Sequence, residues 1–141
     1  MKDEECLMRF NIQGGEFLDA GESSASIKEY LKKIGLPHPF IRRVLIATYE
    51  AEMNVVAHAE SGTLCFMIRE NDVIIIVKDK GPGIPDVELA MQKGYSTATQ
   101  EVRQMGFGAG MGLPNMKQNS DTLTINTEVG TGTEVIMEFK L

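Results

Sequence analysis

The chain has 141 residues, of which 43% are hydrophobic and 24% charged, with a net charge of −6 at pH 7; this predicts one globular domain, residues 1–141. The acidic balance argues against a nucleic-acid partner, because phosphate backbones are bound by Lys and Arg. Acidic residues lie among the first ten positions, where a signal peptide needs an apolar stretch. The longest purely aliphatic run is residues 73–77, which is too short for a transmembrane helix. We therefore expect a cytoplasmic protein that does not span a membrane.

The first half of the chain predicts a strand, two helices and a hairpin. Residues 8–12 alternate apolar and polar side chains, as a strand with one solvated face does. Residues 27–34 have helical spacing and end at Gly35, and a longer helical stripe runs from Pro39 to about Glu60. The strands of the hairpin are residues 64–68 and the β-branched run 73–77.

The second half predicts a short helix over residues 86–93, a polar mobile loop over 95–105, and a helix from Gly112 to Asn119. Strands over 123–127 and 133–139 follow, joined by a turn at Gly130. This order predicts an α+β fold, a two-layer sandwich with a mixed β-sheet and helices on one face. Cys6 and Cys65 are far apart in the sequence and lack metal-binding spacing, so we expect both to be reduced and buried.

Glycines cluster in a way that indicates a phosphate-binding loop. Eight of the fourteen fall in three groups, and glycine lets backbone amides approach a phosphate closely. The group from Gly106 to Gly112 leads into a helix, whose amino terminus favours an anion. A Walker loop is absent, and a dinucleotide fingerprint is excluded because these glycines recur at a spacing of two.

Polar residues in two other places could complete a nucleotide site. Glu50, Asn54 and His58 recur every four residues on the second helix and so share one face. A carboxylate one turn from a carboxamide can act as a base beside a Mg²⁺ ligand, although such a trio alone is more often a solvated stripe, and His58 is better explained as a structural hydrogen-bonder. Asp79 follows a buried strand and could accept from an adenine amine, with Gly83 leaving room for the ring; alone it would be an ordinary turn.

In combination and in this order, the motifs resemble the Bergerat ATP-binding fold of gyrase, chaperones, histidine kinases and MutL. The ExxxN of Glu50 and Asn54 is similar to its Asn box, and residues 79–84 to its DxGxG box. Residues 108–113 are similar to its GxGxGL box, and residues 130–133 to its closing GxGT. Within that superfamily, residues 50–58, 94–96 and 112–114 resemble the stand-alone anti-sigma factor and switch-protein serine kinases.

The resemblance implies a role for each motif residue. Asn54 would bind Mg²⁺, Glu50 would be the general base that takes a proton from a partner's serine, and Asp79 would bind the adenine amine. The phosphates would lie on the glycine loop and Thr133 near the base, so the nucleotide-binding set is Asn54, Asp79, Gly81, Gly83, Ile84, Gly108, Gly110, Gly112, Leu113 and Thr133. Residues 97–107 correspond to the ATP lid and are longer than in the most similar switch kinases. Glu52 departs from the usual pattern and, at i+2 from Glu50, should point elsewhere.

Two functions follow from the resemblance. The first is a Mg-ATP-dependent serine/threonine protein kinase and anti-sigma-type regulator, acting on a small regulatory protein of the anti-sigma antagonist type. The second is a nucleotide-gated module that binds a sigma factor or another partner without phosphoryl transfer. Glu50 favours the kinase. A homodimer is compatible with either function.

Overall fold

A computed structural model of the chain describes residues 6–18, 20–92 and 112–141. The elements in these ranges follow the predicted order: β1 (Met8–Gln13), α1 (Glu22–Lys33), α2 (His38–His58), β2 (Ser61–Ile68), β3 (Asp72–Lys80), α3 (Val87–Ala90), α4 (Gly112–Asn119), β4 (Thr122–Glu128) and β5 (Gly132–Lys140). Most predicted boundaries hold to within a few residues. Exceptions are α1, which begins earlier, and α3, which is shorter than expected. The predicted mobile loop over 95–105 lies outside the described residues.

The five strands form one sheet in the order β1-β2-β3-β5-β4. Every neighbouring pair is antiparallel, so the prediction of a mixed sheet is wrong. Two helices separate β1 from β2, and the second returns the chain so that β2 runs opposite to β1. β4 has the same direction as β3, but β5 lies between them and separates the two parallel strands.

The core lies between this sheet and the helices. Alternate residues of the central strands, Leu64, Phe66, Val73, Ile75, Met137 and Phe139, are fully buried in one cluster with Ile27 and Leu31 of α1 and Val44 of α2. Side chains on a strand point alternately to its two faces, so this set belongs to the face that the helices cover. The α+β fold with helices packed on a sheet is therefore confirmed. Among the described residues, no helix is both long and apolar enough to cross a bilayer.

The two cysteines are joined in a disulfide between Cys6 and Cys65, so the expectation of two reduced thiols is wrong for this structure. Strand pairing explains why. β1 pairs with β2 in a register that sets Arg9 opposite Cys65, and the Leu7 amide donates to the Phe66 carbonyl over 2.8 Å. This pairing brings together cysteines 59 residues apart, a proximity that their spacing in the sequence does not reveal.

Candidate functional site

Helix α2 presents the Glu50–Asn54 pair on a face that is not part of the core. Both side chains are partly exposed, whereas Ala51, Met53 and Val55 are buried. The spacing of four residues places Glu50 and Asn54 one above the other on this face. The predicted shared face is thus present, and its environment decides what the two groups can do.

Glu52 points away from that face, as expected from its position. It is only 4% exposed, and its Oε2 accepts from the Gly21 amide over 2.6 Å, while the Ser23 hydroxyl donates to Oε1. Gly21 is the N-cap of α1 and has no side chain to cap it. Glu52 therefore supplies the cap from another helix, where a carboxylate also meets the positive end of the helix dipole. Its role is structural, which leaves Glu50 as the acid of the site face.

Helix α4 packs against α2 and contacts the Glu50–Asn54 pair. A Cβ on Gly112 would lie 2.9 Å from Asn54 Oδ1, so the start of α4 is close to that carboxamide. One turn later, Asn115 Nδ2 donates to Glu50 Oε1 over 3.4 Å. Leu113 is 7% exposed and lies in the core, so any contact between Leu113 and a nucleotide would be made by its backbone.

Burial shifts the pKa of two α2 side chains, Glu50 and His58. Burial raises the pKa of Glu50, and the hydrogen bond from Asn115 opposes that shift. Burial lowers the pKa of His58, which favours the neutral imidazole. No group of three His, Cys, Asp or Glu side chains that could hold a metal occurs in the described ranges. A cation at this face would therefore need other donors, such as the Asn54 carboxamide with phosphate oxygens and water.

Asp79 lies near the end of β3 and forms the centre of a second polar group. Its Oδ1 accepts from the backbone amide of Thr133 over 3.1 Å. Burial raises the pKa of Asp79, and the Thr133 hydrogen bond opposes this shift. Because the structure gives Oδ2 no hydrogen-bond partner among the described residues, one carboxylate oxygen is left for a donor from a ligand.

Glycines bring backbone segments unusually close around Asp79. A side chain on Gly132 would overlap the carbonyl oxygen of Asp79, and one on Gly83, where φ is +76°, would lie 2.5 Å from the Glu128 carbonyl oxygen. A Cβ on Gly81 would lie 3.1 Å from the Cβ of Ala59, just beyond the end of α2. Asn54 is five residues before Ala59, which is about 7.5 Å along a helix. The two polar groups therefore lie at neighbouring points of one site.

Thr127, which no sequence motif indicated, supports this second group. Thr127 Oγ1 accepts from the Ile84 amide over 2.9 Å and lies 3.0 Å from Thr133 Oγ1. These threonines are directly paired across β4 and β5, and such cross-strand pairs stabilise a hairpin. The register of the hairpin around Gly130 was the signal that could have identified Thr127.

The described residues thus bring together Glu50, Asn54 and Gly112 on the helices, and Asp79, Gly81, Gly83, Ile84 and Thr133 at the strand ends. Gly108, Gly110 and the expected lid, residues 97–107, lie outside the described residues, as does the 94–96 segment. Asn115, like Thr127, was not predicted. Asn115 is one of several polar residues on this short helix, and the local pattern gave no indication that it faces Glu50.

A comparison with known protein families matches residues 41–141 to the histidine kinase-, DNA gyrase B- and HSP90-like ATPases. The chain belongs to this ATPase family. The match runs from the first turns of α2 to the end of the chain, so it includes every residue of both polar groups. Membership of this family identifies residues 41–141 as an ATP-binding region.

Individual relatives of this chain are named as a serine/threonine-protein kinase and as anti-sigma F factors. The serine/threonine-protein kinase RsbT of Bacillus subtilis is 41% identical over 61 residues, which are 43% of this chain and 40% of RsbT. The anti-sigma F factor of Clostridium acetobutylicum is 31% identical over 102 residues, 69% of this chain and 68% of that protein. The anti-sigma F factor of Clostridium beijerinckii is 29% identical over 94% of this chain and 96% of its own length.

Solved structures of low identity share the fold. The RsbU and RsbW domains of a Mycobacterium tuberculosis protein superpose with a TM-score of 0.61 and 17% identity, covering 95% of this chain and 32% of that one. The SiaB-SiaC complex of Pseudomonas aeruginosa gives a TM-score of 0.66 and 13% identity, covering 96% of this chain and 90% of that one. At these identities the likeness supports the fold alone.

Proposed function

We propose that this chain is a Mg-ATP-dependent serine/threonine protein kinase and anti-sigma-type regulator that acts on a small protein partner in the cytoplasm. The observation that carries the proposal is the partly buried Glu50 carboxylate, one helical turn from Asn54 and next to the strand-end group around Asp79. Relatives named as a serine/threonine kinase and as anti-sigma F factors agree with it.

The strand-end group has the chemistry that an adenine ring requires. Asp79 Oδ1 is already bonded to the Thr133 amide, and Oδ2 could accept from an exocyclic amine. Gly83 and Gly132 leave space that a side chain would fill. We assign Gly81, Ile84 and Thr133 to the same nucleotide contact, together with Gly112 and the backbone of Leu113 at the start of α4. Gly108 and Gly110 remain predicted phosphate ligands.

The helix face would perform the chemistry. Bound Mg-ATP supplies an electrophilic γ-phosphoryl group. Asn54 offers a hard oxygen donor of the type that Mg²⁺ accepts. Glu50 would accept the proton of a partner's serine or threonine hydroxyl, and burial that raises its pKa makes its carboxylate a stronger base. The rest of the catalysis is positioning and electrostatic stabilisation.

The proposed partner is a small regulatory protein of the anti-sigma antagonist type, and a sigma factor is a second proposed partner. The sigma factor follows from the names of the anti-sigma F relatives, and the antagonist from the resemblance to the anti-sigma factor and switch-protein serine kinases. A homodimer also belongs to the proposal. The same relatives favour a second candidate function, ATP-gated binding of the partner without phosphoryl transfer.

The test is phosphorylation of a partner recovered by pull-down from native extract with Mg-ATP. Glu50→Gln keeps the size of the side chain and removes the base, so ATP affinity should be nearly unchanged while phosphorylation slows by about 10²- to 10⁴-fold. Glu29→Gln, at an exposed position of α1, is the matched control and should be fully active. Asn54→Ala should remove most of the difference in ATP affinity between Mg²⁺ and EDTA.

Phosphoserine or phosphothreonine on the partner, lost with Glu50→Gln, would establish the kinase. ATP-dependent binding of a partner that stays unmodified would contradict it and support the binding module. Equal ATP affinity in Mg²⁺ and EDTA would show that Asn54 is not a metal ligand.

A further inference from the structure

Helices α2 and α4 run antiparallel and meet at three points. At the first, Gly112 lies against Asn54. Asn115 then donates to Glu50, and at the third point the Arg43 Nε donates to the Asn119 carbonyl over 3.2 Å. The contacts progress forward along α4 and backward along α2. One short helix therefore touches both members of the Glu50–Asn54 pair and is attached to α2 beyond them.

The far end of α4 is held by further polar contacts. Asn119 Nδ2 donates to the Asn115 carbonyl over 2.8 Å, which adds a side-chain bond to the helix at the residue that faces Glu50. Arg43 also pairs with Asp121 over 3.1 Å. Leu113 and Met116 anchor the opposite side of α4 in the core. Asn115 is thus carried on a helix that is fixed from both sides.

The hydrogen bond from Asn115 is the only one that the structure gives to the Glu50 carboxylate within the described residues. An amide nitrogen can only donate, and an ionised carboxylate accepts more strongly than a protonated one, so the bond favours the ionised form of Glu50. It occupies Oε1 and leaves Oε2 for another contact. The distance of 3.4 Å is longer than the usual N–H···O range of about 2.7–3.2 Å, and catalytic hydrogen bonds that are long in the free protein often tighten in the complex with substrate.

We propose that Asn115 is a positioning residue for Glu50: its side-chain amide holds one carboxylate oxygen so that the other is presented to the hydroxyl of the protein substrate. This rests on the proposed kinase function. It also gives Gly112 and Asn115 separate roles on one helix, because Gly112 lies at the proposed metal ligand and Asn115 at the proposed base. The two positions are about 4.5 Å apart along the helix axis.

The test compares three variants in steady-state phosphorylation of the partner. Asn115→Ala should lower kcat by about tenfold, the effect of losing one hydrogen bond to a charged group, with KM for ATP unchanged. Asn115→Asp, which has the same size but brings a like charge to Glu50, should lower kcat further. Gln118→Ala is the matched control, since it removes an exposed carboxamide from the same helix, and should keep kcat within about twofold.

A second measurement separates positioning from general damage to the fold. In a Glu50→Gln background, Asn115→Ala should cause little further loss of kcat, because residues that act through one another are not additive. Thermal unfolding identifies any variant that fails to fold. Independent losses in the double variant, an unchanged kcat in Asn115→Ala, or an equal loss in Gln118→Ala would each overturn the proposal.

The contact can also be judged without kinase activity. In the protein without nucleotide, the Glu50 carboxyl carbon can be titrated by NMR in the wild type, Asn115→Ala and Gln118→Ala. Loss of the Asn115 bond should raise the pKa of Glu50, and Gln118→Ala should not change it. If no partner is phosphorylated but the pKa responds in this way, the kinase function fails while the contact stands. If the pKa of Glu50 is the same in the wild type and in Asn115→Ala, the positioning role is overturned whatever the kinase activity.

Discussion

The two halves of the candidate site are built from different parts of the chain. Around Asp79, the essential contacts are made by backbone atoms: the Thr133 amide bonds to the carboxylate, and Gly132 lies directly against the Asp79 carbonyl. On α2 the essential contacts are made by side chains: Asn115 reaches Glu50, and the Asn54 carboxamide faces Gly112. The strand-end half is thus built from the backbone of the sheet, whereas the helix half is built from side chains of helices that pack on the sheet.

This difference determines how each half should respond to substitution. A change that adds bulk to the strand-end half must displace the backbone of β3 or β5 and so affects folding and binding together. A change on the helix half removes a functional group and leaves the core in place. The strand-end half should therefore be sensitive to size, and the helix half to chemistry.

The largest expected effect is that of Gly132→Ala on stability. The added methyl group would overlap the Asp79 carbonyl, and relieving such overpacking costs about 3 kcal/mol. Gly130→Ala is the matched control in the same turn: it meets no neighbouring atom and has only its positive φ of +84° to oppose it, a cost of about 1 kcal/mol. Urea unfolding measures both. If both variants lose the same free energy of unfolding, the backbone around Gly132 can shift as easily as the exposed turn at Gly130.

The next effect is that of Asp79→Asn on ATP affinity. An Asn side chain can still accept the Thr133 amide, but its second terminal atom is a donor, which opposes an adenine amine. Loss of one charge-assisted hydrogen bond, about 1.5–3 kcal/mol, lowers affinity by about tenfold to a hundredfold. Calorimetry gives the affinity and thermal unfolding shows that the domain remains folded. Unchanged affinity would remove Asp79 from the nucleotide site.

The smallest effect is on the pH dependence of stability, and it has the same sign in both halves. Burial raises the folded-state pKa of Glu50 above 4.5 and that of Asp79 above 3.8. Each acid therefore holds its proton in the folded state at pH values where the unfolded chain has lost it. Stability contributed by these groups is lost as the pH rises through that window and is constant above it.

Glu50→Gln and Asp79→Asn do not titrate at these positions, so each variant should gain stability relative to the wild type as the pH rises from the unfolded-state pKa of the replaced acid to its raised folded-state pKa. Urea unfolding over that range measures the difference. If only one variant gains stability with rising pH, burial affects the Glu50 and Asp79 carboxyl groups to different extents. A relative loss with rising pH would mean that hydrogen bonding to the ionised acid outweighs burial.

Much of the fold could be predicted because its signals are local. The alternation in residues 8–12 and the β-branched run 73–77 correspond to β1 and β3, and α4 begins and ends at the predicted residues. Spacing along one helix also predicted that Glu50 and Asn54 share a face and that Glu52 does not. Each of these is a property of periodicity within one element.

The sequence by itself therefore determined where the elements lie, which α2 residues share a face, and which motifs the chain has in common with its ATPase family. Tertiary structure alone decided that β5 enters between β3 and β4, that Cys6 meets Cys65, that Glu52 caps α1 and that Asn115 reaches Glu50. The reason is physical: periodicity reports the environment of one element, whereas a contact between residues 30 to 65 positions apart depends on strand order and helix packing, which no local pattern encodes.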